Sequence, residues 1–132
     1  MVVVDSSVWI DYFNGQENSQ TKRLDDLLSS TIIIVGDLIL AEVLRGFKRD
    51  RDFKTARSLL EELELVSMAG MEIALKSAEN YRSLRKKGAT VRKTMDCLIA
   101  TYCIQKKLPL LYSDRDFSAF SQHLGLKSVL TT

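Results

Sequence analysis

Four acidic residues each stand where a short apolar run gives way to a turn or a helix: Asp5 after Val2-Val3-Val4, Glu42 in DLILAEVLRG, Asp96 in TMDCLIA and Asp114 after Leu110-Leu111-Tyr112. Carboxylates beside apolar runs are unfavourable to bury unless something positive gathers them. Two like charges about 4 Å apart repel by roughly 4 kcal/mol at an effective dielectric near 20, so an empty cluster raises its own pKa values or opens. A hard divalent cation removes that penalty, and Mg²⁺ or Mn²⁺ suits an all-oxygen site. Hydrolysis of a phosphodiester by metal-activated water is the chemistry such a site would do.

Those carboxylates need a frame that brings distant segments together. Val2–Val4, 32–35, 65–66, 110–112 and 128–130 are strand candidates, short and apolar as buried parallel strands tend to be. Between them, helical spacing groups Leu24, Leu27 and Leu28; Leu40, Val43, Leu44 and Phe47; Phe53, Ala56, Leu59, Leu60 and Leu63; and Ala74, Ala78, Tyr81 and Leu84. Asp37 is placed to cap the second of these helices, Gly88 closes the fourth after a basic last turn, and a further helix runs from about 94 to 107. The alternation predicts an α/β fold with a mostly parallel sheet of about five short strands and helices on both faces.

In such sheets ligands bind beyond the carboxyl ends of the strands, where Asp5 and Asp114 fall. Asp96, at a helix start, is favoured by the helix dipole, and Glu42 leans from its own helix while Ala41, Val43 and Leu44 pack. Singly, each acid also fits a bland role: Asp5 or Asp96 as a cap, Glu42 as a surface residue, Asp114 as a turn former. Their joint placement favours one shared cleft.

Composition narrows the rest. With 132 residues, 45% hydrophobic and 27% charged, the sequence fits one domain spanning 1–132, and no apolar run approaches the roughly 20 residues of a membrane span. Three valines followed by Asp5 make no secretory leader, so a cytoplasmic location is expected. Cys97 and Cys103 point to different sides of one helix and are expected as core thiols, while the single histidine, His123, is expected at a surface or helix end. A zinc site or a two-imidazole mechanism is therefore disfavoured. The net charge of +2 is small, but Lys48, Arg49 and Arg51 form one basic cluster, and Arg82, Arg85, Lys86, Lys87, Arg92 and Lys93 a second. The latter, above all Arg85, Lys86, Lys87, Arg92 and Lys93, would suit a phosphate backbone.

VVVDSSVWIDYFNG, the AEVLRG stretch and MDCLIATYCIQKKLPLLYSDRDF, in that order, resemble a PIN-domain ribonuclease of the VapC type, the toxin of a VapBC toxin-antitoxin pair. The resemblance covers essentially the whole chain. It implies a three-layer α/β/α sandwich and a Mg²⁺- or Mn²⁺-dependent endoribonuclease held silent by a VapB-like antitoxin. It also implies self-association, as a homodimer or within a larger toxin-antitoxin assembly. By motif, Asp5, Glu42, Asp96 and Asp114 match the family's metal-site acids, and Asp116 a variable helper ranked below Asp114. Ser7 and Ser113 match positions often holding a hydroxyl, able to orient a carboxylate or a bound water. Tyr12 and Phe13 fall in the region that receives the antitoxin in similar toxins, whereas Trp9 and Ile10 are expected in the core.

Two rivals stay open on sequence. An aspartyl phosphotransferase would phosphorylate Asp5, yet position 7 is Ser and no lysine is expected near a strand end. A non-catalytic RNA-binding module on the same fold would not need all four acids.

Overall fold

A computed structural model describes residues 1–130. The chain runs β1 (Val2–Val4), α1 (Ser6–Phe13), α2 (Ser19–Ser30), β2 (Ile33–Gly36), α3 (Asp37–Leu44), α4 (Asp50–Glu61), β3 (Glu64–Val66), α5 (Met71–Lys86), α6 (Thr94–Lys106), β4 (Leu110–Leu111), a 3-10 turn (Arg115–Phe117) and α7 (Ser118–Leu124). The sheet is parallel throughout, in the order β3-β2-β1-β4. Helices α1 to α4 pack with one another on one side, and α5, α6 and α7 on the other, giving a three-layer α/β/α sandwich.

Strand order dictates where a site can form. From β1 the chain steps outward through β2 to β3, then returns to lay β4 on the opposite side of β1. That reversal opens a crevice at the carboxyl ends of β1 and β4. Val3 pairs with Leu110 and Val4 with Leu111, and the Asp5 N–H donates to the Leu111 carbonyl at 2.9 Å. The residues leaving the two strands are thereby held side by side. All three valines of β1 are buried, as a central strand covered on both faces requires, whereas edge strand β3 exposes Glu64 and Leu65.

Helix α6 lies deepest, burying Asp96, Cys97, Ile99, Ala100, Thr101, Tyr102 and Cys103. A helix buried nearly all round has no broad polar face. Both cysteines are free and buried, and burial pushes the Cys103 thiol up to about 12. His123 is exposed in the last turn of α7.

Several expectations need correction. The fifth strand, 128–130, reduces to one parallel bridge of Ser128 to Leu110, bounded by hydrogen bonds from Leu110 N to Lys127 O and from Val129 N to Leu110 O. On α5 the Ala74, Ala78 and Tyr81 side chains face solvent, with Met71 and Leu75, and the buried side is Ser77, Asn80 and Leu84. Asn80 donates to Thr101 Oγ1 at 3.1 Å and the Cys97 thiol to the Ser77 carbonyl at 3.3 Å, so small polar groups satisfied in pairs hold α5 against α6. Ile10 is 39% exposed, while Trp9 alone of that pair is fully buried. Ala41 is also exposed.

Asp37 does not cap α3 from outside but is its first residue. Its Oδ1 accepts from Leu38 N and, at 2.8 Å, from Met68 N, tying the start of α3 to the segment leaving β3. A Cβ at Gly36 would fall 2.0 Å from the Met68 sulfur, so glycine there lets that segment close over the start of the helix that carries Glu42. No helix among the described residues is long and apolar enough to cross a membrane.

Candidate active site

Asp5 leaves β1 as the N-cap of α1, the local reason an aspartate suits that position. Its Oδ2 accepts from Ser7 N at 3.2 Å and from the Ser7 hydroxyl at 2.6 Å, and the Ser7 Oγ also lies 3.2 Å from the Ser113 Oγ. Its Oδ1 is buried with no hydrogen-bond partner. Burial holds the Asp5 carboxyl above its usual range, opposed by the Ser7 and Ser6 hydrogen bonds and reinforced by the charge of Glu42.

Asp96 occupies the first turn of α6, whose N-cap is Lys93, so it is not itself a cap. The carboxylate is 5% exposed and its Oδ2 has no hydrogen-bond partner. Burial first, then the charge of Asp5, raises Asp96 to about 7, with Lys93 opposing and Asp114 and Glu42 adding to the rise. Burial is the larger cause, and the smaller contributions of Asp5, Asp114 and Glu42 show that those three charges reach the same point.

Asp114 follows β4 and caps the 3-10 turn, its Oδ1 accepting from Asp116 N at 2.9 Å. That bond folds the turn so that Asp116 comes back toward the site. Carboxylate oxygens of Asp96, Asp114 and Asp116 all lie within 4.8 Å of one another. Asp116, ranked below Asp114 on sequence, thus stands in the tightest trio, and its Oδ2 is buried without a hydrogen-bond partner. Asp5 and Glu42 stand outside that trio, although their charges reach Asp96.

Glu42, half-buried on α3, accepts from the Ser6 hydroxyl at 3.0 Å. Ser6 itself is buried, and sequence reasoning missed it; the signal was its place between Asp5 and Ser7, where a second hydroxyl faces the other way. The two serines divide the work, Ser7 fixing Asp5 and Ser6 fixing Glu42. Sequence also put no lysine near a strand end, but the Lys93 Nζ reaches to 3.8 Å from Asp114 Oδ2, just beyond β4. It touches Asp114, not Asp5, whose Oδ2 is already engaged by Ser7, and so does little for a phosphoryl transfer to Asp5.

Residues 2–122 match the family model for the PIN domain. The chain belongs to the PIN domain family. Among PIN-domain relatives, it is 28% identical over 130 residues to a VapC ribonuclease of Mycobacterium bovis, covering 97% of each chain. Ribonuclease VapC11 of Mycobacterium tuberculosis matches to the same extent, 28% over 97% of each. In fold the chain is similar to VapBC2 from Rickettsia felis bound to a promoter DNA fragment, with a TM-score of 0.75 and 20% identity over 97% of each chain. It is also similar to the sarcin-ricin loop cleaving toxin VapC20 of M. tuberculosis, with a TM-score of 0.71 and 16% identity over 99% of this chain and 100% of that one.

Of the remaining sequence-selected residues of this PIN domain, Arg92 and Lys93 reach the carboxylates, at Asp116 and Asp114. Arg85 and Lys86 end α5, Lys87 is its C-cap, and Arg92 and Lys93 lead into α6, all exposed. The Arg85 guanidinium sits 5.7 Å from the Tyr81 ring centroid. Lys48, Arg49 and Arg51, exposed at the start of α4, belong to the opposite helical layer. Tyr12 and Phe13 are half-buried: Tyr12 donates to Asp25 Oδ1 at 3.2 Å, and Phe13 stacks on Trp9 and meets Phe47 edge-on. Leu40, Leu44, Phe53 and Leu65, with the charged Arg57 and Glu61, line a shallow cavity of about 400 Å³ between α3, α4 and the β3 edge.

Proposed function

We propose that this chain is an endoribonuclease, the toxin of a VapBC-type pair, acting in the cytoplasm as one domain spanning 1–132. The observation that carries the reading is a convergence of carboxylates at the carboxyl edge of the sheet in which Asp5 Oδ1 and Asp96 Oδ2 are buried without hydrogen-bond partners, and Asp116 Oδ2 faces only the Arg92 Nε at 3.5 Å. Orphaned buried oxygens of this kind fit a cation better than they fit a resting fold. The donor set is oxygen only, which favours Mg²⁺ or Mn²⁺ over zinc.

Asp96, Asp114 and Asp116, with Asp5 and Glu42 beside them, would hold the cation. When bound, it would lower the pKa of a coordinated water and polarise the scissile phosphate. The chain's own part is orientation: Ser7 locks Asp5, Ser6 locks Glu42, and the Asp116 N–H holds Asp114 Oδ1 so that Oδ2 faces Lys93. Ser113 extends the Ser7 hydroxyl toward the mouth. Arg85, Lys86, Lys87, Arg92 and Lys93 would guide the RNA backbone, a role that needs exposure and positive charge.

The cognate partner is a VapB-like antitoxin. Partial exposure of Tyr12 and Phe13, together with exposed Ile10 and the Leu40–Leu44–Phe53–Leu65 cavity, offers apolar anchorage for a helix or extended segment. A guanidinium of the antitoxin would pair with the carboxylates and exclude the cation. The solvent-facing stripe of Met71, Ala74, Leu75, Ala78 and Tyr81 on α5 supports a homodimer, alone or within a larger toxin-antitoxin assembly.

Expressed alone, the chain should arrest bacterial growth, Asp5→Asn should be tolerated, and co-expression of the adjacent small gene should restore growth. A wild-type chain that is harmless at confirmed soluble expression would refute the toxin assignment and leave the nuclease assignment to be judged in vitro.

A further inference from the structure

Two cations of this chain already occupy the mouth of its own acidic site. The Arg92 Nε lies 3.5 Å from Asp116 Oδ2 and its Nη2 donates to Asp116 Oδ1 at 3.5 Å, while the Lys93 Nζ lies 3.8 Å from Asp114 Oδ2. Their side chains are 74% and 60% exposed, those of the acids only 10% and 26%. Pairs so open to solvent contribute little to stability, so the fold gives no reason for them. The backbone beneath is fixed: Val91 is buried in the core, and the Lys93 carbonyl accepts from Cys97 N at 3.3 Å in the first turn of α6. The anchor is rigid and the two side chains are free to turn.

We infer that Arg92 and Lys93 are phosphate-positioning residues that the site's carboxylates hold until substrate arrives. In the free protein they neutralise Asp116 and Asp114; on binding RNA they pass from those carboxylates to backbone phosphates. The inference rests on the nuclease reading above and adds regulation to the same site. Arg92 presents a planar fork that suits two phosphate oxygens, and Lys93 a compact point charge. Arg85, Lys86 and Lys87, at the end of α5, would supply the constant part of the track.

The hand-over has a thermodynamic consequence. Asp114 and Asp116 belong to the trio that would hold the cation, so each of Arg92 and Lys93 competes with the cation for a carboxylate and with that carboxylate for phosphate. RNA and the divalent cation should then bind with positive, reciprocal coupling.

The test is a double-mutant cycle on the full chain, read as affinity for a single-stranded RNA oligonucleotide in chelator at constant salt, where no cleavage is needed. Asp116→Asn should tighten RNA binding by roughly three- to tenfold in the wild-type background and by less than about 1.5-fold in an Arg92→Met background, because the cation to be released is gone. Asp114→Asn with Lys93→Met should repeat the pattern. In a separate Mn²⁺ titration without RNA, Arg92→Met should bind the ion more tightly than wild type by about threefold or more, since its competitor is gone. Equal tightening by Asp116→Asn in both backgrounds would show only a diffuse field and would overturn the hand-over. Failure of the nuclease reading shows elsewhere, as RNA left intact by wild type in the presence of metal.

Discussion

Replacing Asp96 by asparagine should lower RNA cleavage by at least about 100-fold, because loss of one ligand disturbs both cation occupancy and water orientation. The substitution is nearly isosteric, and the side chain is 5% exposed at the first turn of a helix whose N-cap is another residue, so the frame around it should stay intact. Asp5→Asn should act similarly but through an added route. An amide there leaves Asp5 Oδ2 or its replacement to face the Ser7 hydroxyl, which now donates at 2.6 Å to a carboxylate. Initial rates on a defined single-stranded RNA, with circular dichroism to show folding, measure both. A well-folded Asp96→Asn variant that cuts at the wild-type rate would remove Asp96 from the site.

The same crowding should make the metal-free protein less stable as pH rises. Burial and the charge of Asp5 push the Asp96 carboxyl up to about 7, from 3.8 for an ordinary aspartate, and burial shifts Asp5 in the same direction. Between those two pH values the folded state binds more protons than the unfolded state, so stability is full below about pH 4, falls as pH climbs to about 7, and then levels. At about 1.4 kcal/mol per pKa unit the whole rise would be worth about 4 kcal/mol, and solvent screening at the open mouth of the site brings the loss from Asp96 to the order of 2–4 kcal/mol at pH 8. In chelator, Asp96→Asn should therefore flatten the profile and melt at or above wild type at pH 8, and the two should converge below pH 4. Added Mg²⁺ should stabilise wild type more than the variant. Thermal melts across pH 4–8 read the result, and a variant that melts well below wild type at pH 8 in chelator would make Asp96 a structural residue.

Much of this frame could be read from residues alone, for identifiable reasons. Val2–Val4 read as a buried strand, and the carboxylate directly after it then falls at the strand's carboxyl end. Asp5, Glu42, Asp96 and Asp114 were visible because an acid among apolar neighbours is locally conspicuous. That Asp116 comes within reach of Asp96 and Asp114 depends on a hydrogen bond from its own N–H to Asp114, which sequence spacing does not reveal. Ser6 was missed, and Lys93 was selected for phosphate but not for its pairing with Asp114, because both contacts act across the fold where no local pattern encodes them.

Helix α5 shows the limit of periodicity most clearly. Ala74, Ala78 and Tyr81 recur at helical spacing, but the side turned inward carries Ser77 and Asn80, whose polar atoms are satisfied by α6. A hydrophobic face identifies a helix; it does not decide whether its own fold or another surface covers that face. The last strand candidate failed for a related reason, since Val129 and Leu130 have the composition of a strand while only Ser128 reaches β4 in ladder register.

The central claim is that this constellation of carboxylates works through a divalent cation. Purified full-length chain, freed of metal by chelator and exchanged into buffer, should leave single-stranded RNA intact, and titration with Mn²⁺ or Mg²⁺ should restore cleavage along a saturable curve. Cleavage at the full rate in excess chelator would contradict it.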